Sequence, residues 1–146
     1  MFNFFNGFTN NSNNHIINKV NFEDVQTLGN NGILINTMPQ NIQDCLITGT
    51  IAVSDEEKYI NKLLSSNKSC VIIVYGKNSN DDTIYKKYEQ LKKLGFINAK
   101  LYIGGLFEWL LLQDIYGDDE FKTTKKELDI LKFKPQSNLS TMLVTT

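Results

Sequence analysis

Residues 70–75, CVIIVY, form an uninterrupted apolar run with no polar alternation. A half-exposed strand alternates apolar and polar side chains, so this short β-branched run predicts a strand covered on both faces, as in a parallel sheet. Parallel neighbours need a crossover connection, and the following residues supply one. A polar loop over 76–81 leads into a helix expected from about Asp82 to Leu94. Ile84, Tyr88 and Leu91 share one side of it at helical spacing, while Lys86, Lys87, Glu89, Lys92 and Lys93 face water. Gly95 stands where a helix stop favours φ > 0. A strand over 99–103, a Gly104-Gly105 turn and a helix from near Leu106 come next. Strand, helix, strand is the right-handed crossover unit of an α/β domain. In such sheets chemistry gathers at the carboxyl ends of strands. The candidate site is therefore the loop Gly76, Lys77, Asn78, Ser79, Asn80 and Asp81, with Asp82 behind it.

The remaining chain fits the same architecture. Residues 15–20 predict a short edge strand, and Asn21 with Asp24 predicts a capped helix ending near Gly29. Two more strands are expected at 33–37 and 50–53. Ser54 and Glu57 have the spacing of a capping box before a helix that lines up Ile60, Leu63 and Leu64. From Trp109 to Gly117 a helix is expected that is apolar almost all round, with Trp109 in the core. A small helix over 123–131, with Leu128 and Leu131 facing inward, is its expected cover, ended by Pro135. Residues 1–14 are Asn-rich with scattered Phe and predict a flexible arm. The domain is expected over 15–135, with 136–146 a tail.

The strand, its loop, the helix ending in Leu94, Gly95 and Phe96, and Gly104-Gly105 followed by Trp109 resemble the second half of a rhodanese-like domain. The resemblance covers residues 16–112 and is most specific over 71–109. It implies a central, mostly parallel five-stranded sheet with helices on both faces. It also implies a loop that opens with a persulfide-carrying cysteine cradled by backbone amides. Here Gly76 matches that cysteine, and Asp81 matches the arginine that often closes the loop. Upstream, Asn36 matches an aspartate, and Leu46 and Thr48 match a histidine and a proline, while Ile47, Gly49 and Ile51 keep the shape of that turn.

Charge and cysteine content narrow the function. The 146 residues carry a formal charge of −1 and no long basic run, so no nucleic-acid partner is expected. Nothing approaches the roughly 18 consecutive apolar residues of a membrane span, and the first residues make a poor secretory signal. Cys45 and Cys70 lack metal or disulfide spacing, and His15 is the lone histidine, so a reducing, cytoplasmic compartment and no cofactor are expected. The wealth of Asn, Ile and Lys hints at an AT-rich genome, such as that of a large DNA virus.

Sulfur transfer needs a thiolate, and Gly76 has no side chain. On an extended strand, at about 3.3 Å per residue, Cys70 lies roughly 20 Å from Gly76, a core position. Cys45 sits in a turn and is the alternative thiol. Asp81 and Asp82 occupy a helix start that would otherwise attract anions, either as a cap or as a repulsive rim that Lys77 only half offsets. Ser79 and Thr83 are hydroxyls with no base to activate them. Asp118, Asp119 and Glu120 lack the spaced ligands of a calcium loop, and Gly104-Gly105 lacks the third glycine of a dinucleotide fingerprint. The expectation is a catalytically inactive rhodanese-like domain that binds another protein. Alternatives are a sulfurtransferase or redox protein using Cys45, and a structural component of a virus particle.

Overall fold

The computed structural model describes residues 17–144. The arm expected over 1–14 and the start of the expected edge strand lie outside the described residues. In chain order the regular elements are β1 (Lys19–Val20), α1 (Phe22–Leu28), β2 (Gly32–Asn36), α2 (Val53–Ser66), β3 (Val71–Tyr75), α3 (Thr83–Lys93), β4 (Ala99–Tyr102), α4 (Gly105–Tyr116) and α5 (Asn138–Val144). Short 3₁₀ turns lie at Gly29–Asn31, Gln40–Ile42 and Ile130–Phe133. The strands pair in the order β1-β4-β3-β2, every pair parallel.

β3 runs up the middle, with Ile73 opposite Leu34 of β2 and Lys100 of β4. Because successive strand side chains point to opposite faces, its apolar run feeds two cores at once. Ile73 and Tyr75 pack with Val25, Leu34, Tyr102, Leu106 and Trp109, under α1 and α4. Ile72 and Val74 pack with Ile35, Ile60, Ile84, Tyr88 and Leu91, under α2 and α3. The expected helix faces of α3 thus stand as predicted, and Gly95 follows it at φ +101. Asn21 caps α1 in a reciprocal box with Asp24. Trp109 lies in the core, edge-on to Tyr102 and Phe121.

The sheet has four strands where five were expected. The stretch 50–53 contributes only a single bridge, Thr50 against Leu34, closed by Ile51 N donating to Leu34 O at 2.9 Å. Helix α2 begins at Val53 and takes over the residues that would have prolonged the pairing. Ser54 therefore lies inside the helix, Ala52 takes the cap position without a side-chain bond, and the expected Ser54–Glu57 box is not formed.

The expected helix over 123–131 is also absent. Its start pairs backward instead, Thr48 N donating to Lys122 O at 3.0 Å and Thr124 N to Leu46 O at 2.8 Å, and the rest is irregular up to the turn at Ile130–Phe133. Ile47 and Thr123 form an antiparallel bridge. Helical periodicity misassigned the inward residues, since Leu128 is 86% exposed and Leu131 60%, whereas Phe121 and Phe133 are buried. Phe133, on the turn packed against α4, is the residue that covers that apolar helix. The expected C-terminal tail carries the short helix α5. Phe133→Ala should lower the free energy of unfolding by about 3–5 kcal/mol, whereas Leu128→Ala should stay within about 0.5 kcal/mol; equal costs in urea denaturation would contradict this cover.

Candidate functional site

The loop 76–82 leaves the carboxyl end of β3 beside the ends of β2 and β4, as the crossover topology requires. Its backbone is clamped from behind by the start of α4. Leu106 N donates to Gly76 O at 3.0 Å, and Phe107 N to Lys77 O at 2.9 Å. The approach is close: a Cβ on Gly105, which sits at φ +68, would lie 2.7 Å from Gly76 O. The amides at the amino terminus of α4 are thus spent on loop carbonyls rather than turned toward a ligand.

Two side chains hold the loop from within. Asn78 is buried; its Nδ2 donates to Phe133 O at 2.9 Å and its Oδ1 accepts from Asn80 N at 2.9 Å. Asp81 turns its carboxylate inward. Oδ2 accepts from Lys77 N at 2.9 Å, and Oδ1 accepts from Thr83 N at 3.1 Å and from the Thr83 hydroxyl at 2.5 Å. Of the two aspartates, Asp81 does the capping; Asp82 occupies the cap position with helical dihedrals and no side-chain cap bond. A carboxylate accepting backbone amides at a helix start complements the dipole there. It also occupies the space beside Gly76. A Cβ on Gly76 would lie 2.5 Å from Asp81 Oδ2 and 2.9 Å from its Cγ.

Ser79 and Asn80 are exposed, and the Lys77 ammonium forms no ion pair among the described residues. Thr83 Oγ1 lies 2.8 Å from Thr37 Oγ1, which links the loop to the end of β2. Next to it Asn36 and Gln43 exchange side-chain amide bonds at 3.0 and 2.8 Å, and Asn36 Oδ1 accepts from Met38 N. The Thr37–Thr83 contact joins residues 46 positions apart, so no local spacing announces it. The Asp81-x-Thr83 spacing was the one legible signal, as an Asx turn opening a helix.

Neither cysteine comes into the loop's hydrogen-bond network. Cys45 is 3% exposed in the core formed by Ile47, Tyr75 and Trp109, and its thiol donates to Lys125 O at 3.2 Å. Burial pushes this thiol up from its ordinary value, partly opposed by a hydrogen bond with Thr123. Cys70 directly precedes β3, at its far end, and burial raises it too. Both therefore favour the inert protonated form. Among the described residues, no three His, Cys, Asp or Glu side chains gather closely enough to hold a metal ion, and no helix is long and apolar enough to cross a membrane.

The sequence matches the family model of the rhodanese-like domain over residues 11–112. The chain belongs to the rhodanese-like domain family. Solved structures share its fold, among them these. The BH2092 protein from Bacillus halodurans is 17% identical, with a TM-score of 0.55 over 94% of this chain and 98% of that one. The Alr3790 protein from Anabaena sp. is 20% identical, with a TM-score of 0.52 over 77% of this chain and 86% of that one. A solution structure of the rhodanese-like domain of Alr3790 gives 21% and 0.51 over 84% and 87%. No curated protein matches the chain.

Within this rhodanese-like domain the two thiols should differ in access. Iodoacetamide should label half-buried Cys70 before Cys45, and both rates should climb as pH rises beyond about 8.5, the ordinary thiol value. Fast labelling of Cys45 at pH 7, read by mass spectrometry of the tryptic peptides, would contradict its burial.

Proposed function

We propose that this rhodanese-like domain is a non-catalytic module that binds another protein. One observation carries the reading: the Asp81 carboxylate takes up the Lys77 and Thr83 amides and stands 2.5 Å from where a Cβ on residue 76 would be. By the family resemblance, residue 76 is where the sulfur-carrying cysteine belongs. Thiosulfate or a persulfide would bring a negative charge to amides that already hold one. Of the two expected roles for these aspartates, cap or repulsive rim, this contact favours the cap at Asp81; the loop carries its own anion.

The alternative of sulfur transfer through Cys45 draws no support from the geometry, because that thiol is buried and its raised value suppresses the thiolate. No observation favours a role in a virus particle.

Two measurements test the reading. In a thiosulfate–cyanide assay the protein should give no turnover above buffer. Turnover abolished by Cys45→Ser would overturn the non-catalytic reading. In a double-mutant cycle, Gly76→Cys in the native background should cost about 1–3 kcal/mol, since the new side chain must displace Asp81. In an Asp81→Ala background, where the cap is already lost at a cost of about 1 kcal/mol, the same change should cost clearly less. Equal costs in both backgrounds would mean the carboxylate does not fill that space.

A further inference from the structure

Helices α2 and α3 lie side by side on one face of the sheet, and an open cleft of about 680 Å³ runs between them. Its floor is apolar: Met38, Ile60 and Leu91 are buried there, and Leu94, at 43% exposure, forms one shoulder. Its banks carry opposite charge. Glu56 and Glu57 line the α2 side, Lys86 and Lys87 the α3 side. Glu56 and Lys87 form an ion pair with each other across the cleft, which ties the two helices together and fixes the spacing of the banks. Glu57 and Lys86 remain exposed and, among the described residues, in no ion pair. One end of the cleft reaches Thr37 and Thr83, the hydroxyl pair beside Asp81.

Resting on the reading of this domain as a protein-binding module, we propose that the α2–α3 cleft is its docking site, and that it takes an amphipathic helix of a partner protein with one cationic and one anionic flank. The charge pattern runs across the cleft rather than along it, so the occupant must reach three directions at once: the floor and both banks. Side chains of a strand point only to two opposite faces. A helix projects them every 100° or so, and can lay an apolar seam on exposed Leu94 while its flanks meet Glu57 and Lys86. Two helices bridged by an ion pair make a groove whose width is set before binding. That lowers the ordering cost of association.

The probes are three synthetic helical peptides of about 18 residues sharing one leucine seam: one with arginine on one flank and glutamate on the other, one with arginine on both flanks, and one with glutamate on both. Reversing a helix in the cleft swaps its flanks, so the mixed-flank peptide satisfies both banks in one of its two directions and binds in that one, whereas neither single-sign peptide satisfies both banks in any direction. The mixed peptide should bind roughly three- to tenfold more tightly than the other two. Glu57→Lys makes both banks basic and should transfer first place to the all-glutamate peptide. Lys86→Glu should transfer it to the all-arginine peptide. Both positions are exposed, so the variants keep the fold, checked by their thermal midpoints. Amide shifts on binding should centre on Met38, Ile60 and Leu94. A ranking that ignores both substitutions, shifts centred elsewhere, or no binding up to millimolar peptide would each overturn the docking site. A blank thiosulfate assay alongside any of these would leave the non-catalytic reading standing, while turnover in that assay would remove it whatever the peptides do.

Discussion

A central strand that is buried on both faces can contribute chemistry only at its end. β3 has Ile72, Ile73, Val74 and Tyr75 all within the two cores, so no polar side chain of its own reaches solvent along its length. Even Tyr75, its last residue, is spent inward. Its hydroxyl lies 2.7 Å from Thr50 Oγ1 and accepts from Ile47 N at 3.1 Å, and burial pushes it far above the ordinary tyrosine range. That bond fixes the turn at 47–50 against the sheet, and with it the position of Cys45. What the molecule can do at this end is therefore decided by the loop that begins at Gly76.

The loop is itself tightly determined, and by contacts unrelated to catalysis. Gly105 must lack a side chain because its Cα backs onto Gly76 O, and α4 donates two amides to the loop's carbonyls. Asn78 ties the same loop to Phe133, the residue that covers α4 from the other side. Removing the bowl would therefore orphan buried backbone groups and loosen the helix that closes one of the two cores. Each orphaned buried group costs on the order of 1–3 kcal/mol. A rhodanese-like loop shape is consequently what this core demands, with or without a thiol in it. Its presence is evidence about folding; its lining is evidence about function.

This division also explains how much was legible in the sequence. The run at 70–75, the spacing of Ile84, Tyr88 and Leu91, and the glycines at 95 and 105 are local patterns whose physics is local, and the structure follows them closely. The loop residues at the sheet's carboxyl end were placed correctly for the same reason, because α/β topology puts them there. What failed were decisions between competing partners. Residues 123–131 carry a helix-like pattern, yet the carbonyls of Leu46 and Lys122 and the amides of Thr48 and Thr124 found each other across more than seventy positions. The stretch 50–53 has strand character, but Val53 gained more as the first turn of α2. In the loop, sequence left a helix cap and a repulsive rim both open, and did not say which aspartate would cap; the fold turns Asp81 inward to accept and leaves Asp82 without a cap bond.

The inward turn of Asp81 changes how the neighbouring surface is understood. A carboxylate left on the rim would have made the end of the sheet acidic and uninviting to anions and acidic segments alike. With Lys77 N, Thr83 N and the Thr83 hydroxyl donating to it, its charge is instead directed into the loop, and it locks Thr83 in contact with Thr37. Thr83 is the first residue of α3, so this contact anchors that helix to the end of β2. The Glu56–Lys87 pair fastens the same helix to α2 about one turn further on. Two fixings so close together make the upper end of the α2–α3 face rigid. A face held in place at both helices fits the docking proposed for it, because less has to be ordered on binding.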